Sequence, residues 1–148
     1  MRATATRYAV AAASLTMVVC AFAPTAAQEK RVGASGGWVR LPPAGETRAQ
    51  AFVTVDNPTM YEVYVTSATS DAAGRVELRD AGQSGAAREQ PLMFVAVPAY
   101  GRVDMSPGGV HLLLLDLKRP LQDGDTVALT LSTDIDVTLK VEAKVRKE

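Results

Sequence analysis

Cysteine occurs once in the 148 residues, at Cys20, and histidine once, at His111. A zinc site built from several Cys or His ligands is therefore excluded. So is a disulfide framework within one chain. Any Ser-His-Asp triad would have to use His111, and no serine sits in a G-x-S-x-G elbow. Aromatic residues make up only 5% of the chain. That leaves little for a base-stacking platform. Basic and acidic residues balance, 16 against 16, which argues against nucleic acid or an anionic membrane as partner. Hard-cation loops with regularly spaced acids are missing, and Asp134 and Asp136 fall in what reads as a hairpin turn. Phosphate-binding glycine loops need a following helix, and no helical period is sustained beyond the first residues. An enzyme is not expected.

What is present begins with a leader. Arg2 and Arg7 precede an apolar stretch from Ala9 to Cys20, and Thr25-Ala26-Ala27 offers small residues for cleavage. Residues 1–27 read as a secretory signal peptide. The stretch is too short and too Ala-rich for a membrane span. Val19 before Cys20 disfavours lipidation, which wants a small residue there. Removal of the leader takes away Arg2, Arg7 and Cys20, leaving a mildly acidic, thiol-free domain. Its localisation is then periplasmic or secreted, and its core alone must hold it together.

From residue 38 onwards the hydrophobic period is two, after a flexible lead-in over 28–37. Strands are expected at Trp38 to Leu41, Ala49 to Val55, Tyr61 to Thr66, Arg75 to Asp80, Leu92 to Val97 and Gly101 to Met105. His111 to Leu117 follows, and Thr126 to Ser132 with Asp136 to Val145 form a closing hairpin. Asp56-Asn57-Pro58 and Pro107-Gly108-Gly109 are strong turn signals. Residues 38–148 therefore form one all-β domain, an immunoglobulin-like antiparallel Greek-key β-sandwich. The run H-L-L-L-L-D-L should be buried on both faces.

His111 stands at the head of that run. Cu(I) accepts imidazole together with soft thioethers, and Met60, Met93 and Met105 supply thioethers. Methionines at such positions also serve as core filler, and a lone histidine also serves as a hydrogen-bonded structural residue.

The sequence as a whole resembles the periplasmic copper chaperones called PCu(A)C. The resemblance rests on W-V-R at Trp38, A-F-V-T-V-D-N-P ending at Pro58, and A-A-G-R-V-E-L-R from Ala72 to Arg79. It continues through V-P-A-Y-G-R-V-D-M-S-P-G-G-V-H-L-L-L-L-D-L and P-L-Q-D-G-D-T-V from Pro120 to Val127. It implies a cupredoxin-like β-sandwich that hands Cu(I) to cytochrome oxidase assembly. It also implies a site of two His and two Met. The histidine of the H-x-M pair falls on His111 and its methionine on Leu113. The histidine after V-E-L falls on Arg79, and the other methionine on Glu89, or on Gln90 with a different loop placement. Met93 and Met105 are possible substitutes.

One family donor of four is thus retained. The resemblance implies a copper-chaperone-like protein with a degenerate site, its partner a membrane-bound cuproprotein or assembly factor. The alternative is a metal-free binding or assembly module that kept the fold. Arg79 and Glu89 are expected to pair over the former site. For the leader, intact-mass measurement of the exported protein should give a chain that begins at Gln28 and carries no lipid. A diacylglyceryl mass on Cys20 would overturn that expectation.

Overall fold

The computed structural model describes residues 30–82 and 90–148. It contains ten strands: β1 (Gly33–Arg40), β2 (Ala49–Asn57), β3 (Val63–Ser70), β4 (Ala73–Asp80), β5 (Gln90–Pro91), β6 (Val95–Val97), β7 (Gly101–Asp104), β8 (Val110–Leu117), β9 (Thr126–Thr133) and β10 (Thr138–Arg146). Among the described residues there is no helix. The strands follow the order β5-β4-β8-β2-β1-β10-β9-β3-β6, with β7 paired to the far end of β2. A further β3–β4 pairing at Ala68 and Val76 closes the sheet on itself. The result is the expected all-β sandwich, rolled into a flattened barrel.

Alternation explains the core. Val39, Val53, Val65, Leu114, Leu129 and Leu131 are all fully buried and point inward from five different strands, β8 among them. β8 lies between β4 and β2. Its residues from His111 to Leu115 are all buried, as expected for a strand covered on both sides.

Three expectations are corrected. The lead-in is shorter than 28–37, because β1 begins at Gly33, five residues before Trp38. Its glycines look like loop residues in sequence. In the fold Gly36 takes φ +62° at a bulge between Ser35 and Trp38. At Gly37 an added Cβ would meet Val141 and Ala143 at 3.2 and 3.3 Å. Glycine here permits close strand approach. The sandwich is also not wholly antiparallel, since β1 runs parallel to β10. A period of two is common to both strand directions, so alternation alone does not distinguish them. Finally, Tyr61 is exposed and precedes β3, and Leu92–Val97 is not one strand. Only Val95–Val97 of it is strand, as β6; β5 ends before it at Pro91, and Met93 and Phe94 lie between the two, turned outward.

The reason for the Tyr61 difference is Asn57. This side chain is 1% exposed. Its Nδ2 donates towards the carbonyls of Tyr61 at 2.7 Å, Val97 at 3.1 Å and Pro98 at 3.1 Å. Its Oδ1 accepts from the Thr59 amide at 3.1 Å and the Thr59 hydroxyl at 2.7 Å. One buried amide thus fixes the β2–β3 connection and the end of β6 together. Replacing it leaves buried carbonyls and an amide without partners, each costing about 1–3 kcal/mol. Asn57→Ala should therefore lower the unfolding free energy by about 3 kcal/mol with an unchanged urea m-value. Asn57→Asp should cost at least as much, because it turns a second acceptor towards those carbonyls.

Candidate functional site

The Pro107-Gly108-Gly109 turn delivers His111 into β8. Gly108 adopts φ +80° and the Gly109 amide donates to the Ser106 carbonyl at 3.1 Å. His111 is 1% exposed. Its Nδ1 lies 2.9 Å from the Gly109 carbonyl oxygen. A carbonyl only accepts, so Nδ1 carries the proton, and in the neutral ring Nε2 is the basic nitrogen. The ring centroid lies 6.1 Å from that of Phe52.

Register defines what surrounds His111. Across β5, β4 and β8, Pro91 pairs with Arg79 and Arg79 with His111. Two residues along β8, Leu113 pairs with Glu77 on one side and Gln50 on the other. Paired residues share a face of the sheet. His111, Leu113, Arg79 and Glu77 therefore stand together on the outer face, opposite to Leu112 and Leu114. Three of the positions implied by the resemblance are gathered in this way. The fourth, Glu89, lies outside the described residues, and of Gln90 only the backbone is described. The expected Arg79–Glu89 pair thus falls outside the described residues. Within them, Arg79 Nε donates to Glu77 Oε2 at 2.9 Å, and the same carboxylate forms an ion pair with Nη2.

The thioethers are elsewhere. Met105 follows Asp104, whose carboxylate shares the outer face with Thr54, and is itself buried in the core. It thus sits on the face opposite to His111. Met93 is exposed beside Tyr64 and Phe94. Met60 is exposed in the β2–β3 connection. No group of three or more His, Cys, Asp or Glu able to hold a metal occurs among the described residues.

The outer face carries a second layer that sequence reading missed. Trp38 stacks on Phe52 with centroids 4.5 Å apart. Arg146 lies 4.2 Å over Trp38 and Arg40 lies 5.9 Å over Phe52. Arg40 also donates to Gln50 Oε1 at 3.0 Å and pairs with Glu148 at 2.7 Å. Arg48 lines both cavities that open beside Leu113. Leu113 and Leu115 are buried beneath these stems. The signal was there in sequence, as Arg40, Arg75, Arg79, Lys144 and Arg146 in the outward phase of their strands.

Comparison with known proteins identifies the class. The fold is that of PCuAC domains. The copper-bound PCuAC domain from PmoF2 superimposes with a TM-score of 0.68 at 26% identity, covering 80% of this chain and 97% of that domain. The Cu(I) form of DR1885 from Deinococcus radiodurans gives 0.67 at 29% identity, covering 84% of each chain. Residues 32–145 match the family described as "Putative lipoprotein LpqE-like", and the chain belongs to that family. It is also similar to "Putative lipoprotein Lxx21020" of Leifsonia xyli subsp. xyli, 31% identical over 106 residues. Those residues are 70% of this chain, which spans 63% of that relative's length.

The site tolerates rebuilding. The Arg79–Glu77 pair is partly solvated and worth about 0–1 kcal/mol. Leucine and methionine have similar volumes, and such swaps cost less than about 1.5 kcal/mol. Arg79→His and Leu113→Met should each leave the protein folded, with thermal midpoints a few degrees from wild type. A collapse of near-UV ellipticity in either variant would contradict this.

Proposed function

We propose that the protein is an exported, copper-chaperone-like carrier domain whose Cu(I) site is degenerate, with His111 as its retained donor. The supporting observation is the placement of His111, Arg79 and Leu113 on one outer face of a fold shared with copper-bound PCuAC domains. Its role is non-enzymatic, and Cu(I) is cargo. The receiving partner is a membrane-bound cuproprotein or an oxidase assembly factor. The lipoprotein relatives support export. Val19 before Cys20 supports a soluble mature form.

The side chains present do not fit a tight Cu(I) site. One imidazole is available, Leu113 offers no donor, and Arg79 carries a permanent cation beside it. A second reading therefore stands on the Arg79–Glu77 pair: a metal-free module that kept the fold for binding or assembly.

Cu(I) titration of the purified protein against bicinchoninate separates the two. The carrier reading expects weak binding that disappears in His111→Ala. It also expects a gain of roughly a hundredfold in affinity for Arg79→His combined with Leu113→Met. Absence of wild-type binding, with no change in melting temperature on adding Cu(I), selects the metal-free module. Failure of the double variant to gain affinity shows that Arg79 and Leu113 do not occupy ligand positions.

A further inference from the structure

All six large apolar side chains left exposed among the described residues lie at one end of the barrel: Met60, Tyr61, Met93, Phe94, Tyr100 and Ile135. The topology places them there. Val63 at the start of β3 pairs with Val97 at the end of β6, and Val65 pairs with Thr133 at the end of β9. Asn57 at the end of β2 pairs with Gly101 at the start of β7. The Tyr100 amide donates to the Thr59 carbonyl at 2.9 Å, and the Asp134 amide to the Tyr64 carbonyl at 3.0 Å. Exposure reaches 89% at Met93 and 71% at Tyr61. Exposed apolar patches of this kind mark interaction surfaces.

A cavity of about 340 Å³ opens in this surface, lined by Tyr64, Thr66, Met93, Phe94 and Asp134. The Tyr64 and Phe94 rings stand edge to face, 5.1 Å apart at 85°. Two carboxylates accompany them. Glu62 Oε1 accepts from the Tyr64 hydroxyl. Asp134 Oδ1 accepts from the Tyr64 amide at 2.9 Å. Each carboxylate uses one oxygen inside the protein and keeps a second. The hydrogen bond to Glu62, followed by its charge, raises the Tyr64 pKa, so the phenol stays protonated and the pocket's charge comes from its acids. Among the described residues, no basic side chain lines the cavity.

Aromatic faces attract cations, and carboxylates beside them add charge selection. An anionic lipid surface would be repelled by the same two acids. We propose that this end of the barrel docks a basic segment of a partner protein, one lysine or arginine entering between Phe94, Tyr64 and Asp134 while flanking apolar residues lie on Met93 and Ile135. The surface is independent of whether His111 holds copper.

The test is nuclear magnetic resonance titration of the ¹⁵N-labelled protein with the peptide acetyl-Gly-Leu-Arg-Leu-Gly-amide and its Glu counterpart. The Arg peptide should cause saturable shifts at Tyr64, Phe94 and Asp134, weakened by raised salt. Glu62→Gln combined with Asp134→Asn, which keeps an acceptor for the Tyr64 amide, should weaken binding about tenfold. Phe94→Ser should do the same with its spectrum otherwise unchanged. Equal binding of the Glu peptide, or no saturable shift, overturns the proposal. So does sedimentation with neutral phosphatidylcholine vesicles that Phe94→Ser abolishes, which would make the occupant a membrane. Concentration-dependent dimerisation lost in Phe94→Ser would make it a second copy, and likewise overturns the proposal.

Discussion

Burial of β8 on both faces is the constraint on which the rest of the structure depends. Leu112 and Leu114 fill the barrel interior, so His111, Leu113 and Leu115 must face outward from the same strand. Those outward residues are apolar or neutral and still almost fully buried. A second layer has to cover them. Helices do this in α/β proteins, but none is available among the described residues. The cover is made instead from the long side chains of Arg40, Arg48, Arg75 and Arg79, which line the cavities beside Leu113 and Leu115. Trp38 and Phe52 extend the same layer across β1 and β2. The position of Arg79 follows from this requirement as much as from any metal chemistry. A long stem there covers β8, and its head finds Glu77 without leaving the sheet face.

Much of the fold was legible in sequence because period-two alternation and turn residues are local signals. The double burial of β8, which holds from His111 to Leu115 and gives out at Asp116, the closing hairpin and the Pro107-Gly108-Gly109 turn are found where the residues put them. What escaped depends on contacts distant in the chain. Gly36 and Gly37 read as loop until Val141 and Ala143 are seen pressing on them. The parallel partnership of β1 with β10 joins the two ends of the domain, and alternation carries no direction. Asn57 reads as a turn residue, yet its amide reaches Val97 and Pro98, 40 and 41 residues later. At the candidate site, Arg79, His111 and Leu113, placed by motif spacing, share one outer face. The Glu77 partner of Arg79 follows from their two-residue spacing on one strand face, a local signal that was not read in the sequence.

The arrangement also accounts for why substitution on the outer face of β4 and β8 would leave the fold intact. Structural metals contribute their binding free energy to folding, so removal of ligands unfolds the domain. Here no element relies on a metal to satisfy its backbone or fill its interior. β4 and β8 are held by a ladder running from Ala73 paired with Leu117 to Asp80 paired with Val110. Arg79, His111 and Leu113 lie on the outside of that ladder. Substitution there would leave the barrel interior, filled by Leu112, Leu114 and their neighbours, untouched. Sites placed in this way are free to drift, whereas Asn57 is not, because it organises three chain segments from the inside.

The segment from Gln90 to Val97 joins the two exposed features of the molecule. Its first strand, β5, sits beside β4 with Pro91 opposite Arg79, and Arg79 is the register partner of His111. Its last strand, β6, sits on β3, with Met93 and Phe94 turned outward just before it. The Leu92 amide donates to the Leu78 carbonyl at 2.9 Å, so the segment remains anchored to β4 up to the residue before Met93. A partner seated on Phe94 therefore touches a stretch whose other end belongs to the ladder containing His111. The two surfaces are linked through the backbone of this one segment although their strands pair differently, β6 with β3 and β8 with β4. Substitution at Arg79 or Leu113 would therefore leave Phe94, Tyr64 and Asp134 in place, because neither surface supplies the other's side chains.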